Sequence, residues 1–144
     1  MRFRFRPLLP AALIAAAAVV SPAGVLATSD PEVQTEEEVI GLDEWRAMTE
    51  GRTVWYSLRG RHWGKEHFHR GRDEATFMTP QGECMTAPWM HNDGVFCFAY
   101  GGLHCFRHVR RDGELFAIPT AGGEEQRIVR IDDTPLSCEA PLSS

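Results

Sequence analysis

Past Ala27 the chain has no hydrophobic run long enough to span a membrane, because charges and turn residues break every apolar stretch. A helical membrane span after that point is therefore excluded. Basic side chains are also scarce: 15 Lys and Arg stand against 20 Asp and Glu, and Arg2, Arg4 and Arg6 account for three of the 15. From Thr28 onward twelve basic residues face twenty acidic ones, which argues against nucleic acid as a partner. Catalytic signatures are missing as well. The chain has no G-x-S-x-G elbow, P-loop, G-x-G-x-x-G or H-E-x-x-H. The four cysteines form neither a C-x-x-C redox pair nor a zinc-ribbon or haem-attachment pattern. A protein without enzymatic activity and without a cofactor is expected.

What is present begins with a leader. Three arginines precede an uncharged run from Leu8 to Val20, and Val25-Leu26-Ala27 supplies the small residues that suit signal-peptidase cleavage. Residues 1–27 read as a signal peptide, leaving 117 residues, enough for one domain with a modest core. The first cysteine is Cys84, far from the cleavage site, so the expected product is soluble and periplasmic or secreted rather than lipid-anchored. In that setting the even set Cys84, Cys97, Cys105 and Cys138 favours two structural disulfides, each contributing roughly 2–4 kcal/mol.

Residues 28–40 are acidic and bear no aromatic side chain, which reads as a flexible acidic arm. Residues 41–140 read as a single β-domain. It opens with one short amphipathic helix, in which Leu42, Trp45 and Met48 recur every three residues, acids occupy the first turn and Gly51 marks the stop. From Arg52 the pattern becomes short aromatic and β-branched segments: 52–58, 63–69, 75–79, 83–89, 95–100, 103–109, 114–118 and 126–131. Turn residues separate them, as at Arg59-Gly60, Asn92-Asp93-Gly94, Gly101-Gly102 and Asp112-Gly113. The expected fold is all-β, an antiparallel meander of about eight strands forming a small barrel or a sandwich.

If Tyr100-Gly101-Gly102 forms a three-residue loop, Cys97 faces Cys105 and a cross-strand bridge follows, leaving Cys84 for Cys138. A two-residue Gly101-Gly102 turn would slip that register, and four cysteines allow three pairings. On the first register Phe96, Phe98, His104, Phe106 and His108 share the face opposite the bridge, the core side.

The segments Met48-Thr49-Glu50-Gly51-Arg52-Thr53, Trp63-Gly64, Gly82-Glu83-Cys84, Val95-Phe96-Cys97-Phe98-Ala99-Tyr100, Cys105-Phe106 and Pro135-Leu136-Ser137-Cys138 together resemble a family of small, exported alphaproteobacterial proteins of uncharacterised activity. The resemblance spans about Leu42 to Cys138 and implies an exported, disulfide-bearing β-domain. It carries over no catalytic or binding residues. Pro88 stands before Trp89 where a glycine is expected; proline removes a ladder donor, so that strand should be an edge or carry a bulge.

Three kinds of chemistry can be drawn from the residues. Aromatic side chains such as Trp63, Phe96 and Phe98 suit the lining of a barrel that holds a small apolar ligand. Arg59 and Arg61, in an Arg-Gly-Arg-His loop, suit contact with an envelope protein. Either use makes the chain a non-enzymatic binding protein. As an alternative, His67 and His69 on one strand face, joined by His104 or His108, would make a metal-binding protein, with Met78, Met85 and Met90 favouring copper.

Overall fold

The computed structural model describes residues 36–138. The expected leader, most of the expected arm and the last two residues of the expected β-domain lie outside that range. The elements are β1 (Glu37–Val39), α1 (Leu42–Thr49), β2 (Thr53–Leu58), β3 (Arg61–Phe68), β4 (Glu74–Met78), β5 (Cys84–Asn92), β6 (Val95–Phe98), β7 (His104–Arg111), β8 (Glu114–Pro119) and β9 (Gln126–Asp132).

Turn chemistry sets this order. Arg59-Gly60, Asp93-Gly94 and Asp112-Gly113 each hold two consecutive residues at positive φ, between 48° and 79°. Such two-residue turns match the right-handed twist of the strands they join. Each strand pairs antiparallel with the next from β2 through β9, and β9 returns to pair with β2, Thr53 opposite Asp132. The result is a closed, eight-stranded, up-and-down barrel plus one extra strand. Closure decides between barrel and sandwich, and it leaves no bare sheet edge among the eight.

The extra strand corrects the reading of residues 28–40 as a flexible arm, as far as residues 36–40 are concerned. β1 pairs with the end of β7, Val39 opposite Val109, and Ile40 is fully buried. Composition alone misses this because the partners lie some 70 residues away. Glu37 bonds Arg111, Glu38 bonds Arg110, and Arg110 also holds Glu44 of the helix.

α1 lies across the end of the barrel where β3, β5 and β7 finish. Trp45, fully buried, stacks on the His108 ring at 3.9 Å and meets Phe68 and Phe96 edge-on or tilted. One indole therefore ties the helix to three strands and closes this end of the barrel. The inward face alternates as β-structure requires: Gly64, Glu66 and Phe68 on β3, Phe96 and Phe98 on β6, all with buried side chains or backbone.

Both disulfides form, Cys97–Cys105 across the β6–β7 hairpin and Cys84–Cys138 from the start of β5 to the segment after β9. No cysteine is free. Two such bridges belong to a non-reducing, extracytoplasmic environment. No helix among the described residues is long and apolar enough to cross a membrane. The strand carrying Pro88 is neither an edge nor bulged there, contrary to expectation. β5 hands over from β4 to β6 at this point, with Pro88 opposite Glu74 and Trp89 opposite Phe98. Its missing N–H falls beside Ala99, just past the end of β6, while its carbonyl still accepts from Ala99.

Candidate functional site

The end of the barrel away from α1 is open. There β2, β4, β6 and β8 finish and β3, β5, β7 and β9 begin, and a cavity of about 190 Å³ runs inward from the rim. Trp63, Met85 and His104 line the mouth; Trp63 and Met85 are each about two-fifths exposed. Phe77, Phe98 and Phe106 form the wall, and His108 and Ala117 lie at the floor. Phe68 and Phe96 from the strands, with Trp45 from α1, fill the closed end, whereas the open end is lined but not filled.

Room on this side depends on Gly64. A Cβ at that position would collide with the Phe77 ring and lie 2.9 Å from the Met78 carbonyl oxygen. Phe77 stands directly opposite Glu66 across the β3–β4 ladder, and Tyr56 opposite Gly64 across β2–β3. Without a side chain at 64, the Phe77 ring and Tyr56 converge on Glu66.

Glu66 is the one carboxyl among the cavity-lining residues, and it is 4% exposed. Its Oε2 accepts from the Tyr56 hydroxyl at 2.6 Å and its Oε1 from the Tyr100 hydroxyl at 2.6 Å. These are the only two tyrosines in the chain. Tyr100 is held in place by stacking on Phe98, with the rings nearly parallel. Burial raises the Glu66 carboxyl from 4.5 to about 7, and the two hydroxyl donors pull in the opposite direction. Burial, followed by the nearby Glu66 charge, pushes both tyrosines well above their ordinary values, so they remain donors. Among the described residues no Lys, Arg or His forms an ion pair with Glu66. The neighbouring Lys65 lies over the Trp55 ring instead, at 3.8 Å.

His108 contributes a second buried polar group. It is 1% exposed, burial and the nearby His91 lower it from 6.5 to about 3, and its Nδ1 has no hydrogen-bond partner among the described residues. The floor of the cavity is therefore a neutral imidazole.

The residues expected from the sequence fall into separate places. Trp63 and Phe98 line the cavity, but Phe96 packs at the closed end against both Trp45 and His108. Arg59 and Arg61 sit at the β2–β3 turn beside the mouth, and Arg59 is paired with Glu124. Of the four histidines of the metal alternative, His67 and His69 come together, their ring centroids 5.3 Å apart, but His104 and His108 do not join them. His67 Nδ1 is 3.0 Å from the Thr53 hydroxyl and His69 Nε2 is 2.9 Å from that of Thr76, both on the outer side of β3 and β4. His104 Nε2 bonds the Tyr100 carbonyl at the mouth, and His108 is inside. Three strands separate β3 from β7 in either direction round the barrel. No group of three or more His, Cys, Asp or Glu among the described residues is placed to hold a metal ion.

The glutamate and its two tyrosines are absent from the sequence-based candidates. The signal available was phase: Glu66 is two residues from Phe68 and two from Gly64, on the face that has to point inward.

No family model, curated protein or solved structure matches this chain.

Proposed function

We propose that this is a non-enzymatic carrier or sensor of a small, largely apolar molecule, held inside the open end of the barrel. It is an exported protein working in the periplasm or outside the cell, of the kind that the resemblance to small exported alphaproteobacterial proteins implies. The cavity carries this reading: a lined, open-ended space with aromatic walls and one buried polar cluster is the usual composition of a small-molecule site. Its size supports one ring or a short chain, since a cavity of about 150 Å³ already accepts benzene.

The test has two parts. Native mass spectrometry of the protein taken from its own envelope fraction is expected to show extra mass that is lost on denaturation without reductant. Titration of toluene into the emptied protein, followed by NMR, is expected to shift the resonances of Trp63, Phe98 and Ala117. Ala117→Leu, which adds side-chain volume at the cavity floor, should abolish both signals. A chain that carries no extra mass and leaves toluene unbound overturns the reading.

A further inference from the structure

Resting on that reading, we propose that the ligand is a small organic cation, whose protonated amine pairs with Glu66 while its apolar body lies against the aromatic wall. A carboxylate offers about four lone-pair sites over its two oxygens. Here each oxygen receives one tyrosine hydroxyl, which leaves acceptor capacity on both. The donors already present are neutral, and no cation of the chain pairs with the group among the described residues. A buried carboxylate without a counter-ion is costly, and a ligand that brings the positive charge removes that cost.

The surroundings favour a cation over the alternatives. Tyr56, Trp63, Phe77, Phe98, Tyr100 and Phe106 present aromatic rings to the same space, and aromatic faces attract ammonium groups. His108 at the floor is neutral and does not repel one. From Thr28 onward the excess of twenty acidic over twelve basic residues favours the long-range approach of a cation. An anionic ligand would meet the Glu66 charge, and a neutral one would leave the carboxyl as it is.

The probes are benzylamine, benzyl alcohol and benzoate, which share one ring and differ in the head group. Each is titrated calorimetrically into the full processed protein at pH 7.5, and into Glu66→Gln and Tyr100→Phe. Benzylamine is expected to bind at least tenfold more tightly than benzyl alcohol, with benzoate weakest. Glu66→Gln should bring amine and alcohol within twofold of each other. Tyr100→Phe, which removes one donor from the carboxylate and keeps the ring, should cost the amine threefold or more and leave the alcohol unchanged; it serves if Glu66→Gln fails to fold. Equal binding of amine and alcohol, or an amine preference undiminished in Glu66→Gln or, where that variant fails to fold, in Tyr100→Phe, overturns the cation and leaves the carrier reading standing. If none of the three binds and toluene does not bind either, both readings fall.

Discussion

Replacing Glu66 with glutamine isolates the cost of a buried charge, and the expected effect depends on pH in a defined direction. The folded state holds the Glu66 proton more tightly than the unfolded chain does, from 4.5 up to about 7. Its contribution to stability is therefore complete below about pH 4.5 and is lost as pH rises through about 7. At 1.36 kcal/mol per pH unit, the loss amounts to about 3 kcal/mol. The carboxyl is bonded by Tyr56 from β2 and Tyr100 from the β6–β7 loop and stands opposite Phe77 on β4, while His108 from β7 lines the same cavity. The tyrosines do not titrate in this range, so their contribution is constant. Glutamine keeps the shape, and one tyrosine hydroxyl turns from donor to acceptor. The stability of Glu66→Gln relative to the parent should therefore rise by about 3 kcal/mol between pH 4.5 and pH 8. Urea denaturation of both proteins at pH 4.5, 6 and 8, with disulfides intact, measures this directly. A difference that is the same at all three values would refute the reasoning, because it would mean that Glu66 carries no charge-burial cost.

The second buried titratable group has the opposite sign. His108 is lowered to about 3, so its contribution is complete above about pH 6.5 and is lost as pH falls through about 3; His108→Phe should flatten the acid limb of the same urea titration. Trp45→Ala removes the indole that closes the barrel end and should cost about 3–5 kcal/mol, read as a fall in Tm. Gly64→Ala sets a methyl against the Phe77 ring and the Met78 carbonyl, so it should cost about 1–3 kcal/mol and weaken toluene binding, followed by NMR. Removing Cys84–Cys138, which spans 54 residues, should destabilise by about 4 kcal/mol, against about 2.5 for Cys97–Cys105, which spans 8; paired Cys→Ala variants in urea compare the two.

The barrel strands were legible because turn chemistry and alternation act locally. Asp93-Gly94 and Asp112-Gly113 dictate their own backbone, and Phe96 and Phe98 declare the inward face two residues at a time. The same local logic offered Cys97 opposite Cys105 as one of two registers, and the ladder adopts it. What was not legible depends on residues distant in sequence. Glu37 and Glu38 look like solvated acids until Arg110 and Arg111 come alongside, 70 residues later. Pro88 looks like an edge marker until β5 is seen to change neighbours at that residue. Glu66 looks like a surface acid between Lys65 and His67, although its phase with Phe68 already pointed inward; only the barrel's closure brings Tyr56 and Tyr100 onto it. The histidines fail as a cluster for a related reason, since shared residue type says nothing about which side of a closed sheet each one occupies.

The closing seam also bears on how fast the chain can fold. Seven of the eight ladders round the barrel join strands consecutive in the chain, so they form by zipping adjacent segments. Only β2 with β9 requires the chain to close a loop of about eighty residues, and that search dominates the entropy of completing the barrel. The Cys84–Cys138 bridge short-circuits the search: the path from β2 to β9 then runs through Cys84 and back from Cys138, about half as long. Halving a loop saves about 0.6 kcal/mol, so an oxidised chain meets its own seam roughly threefold more often than a reduced one. In a chain that is already bridged, the link that anchors the segment after β9 therefore also speeds closure of the barrel.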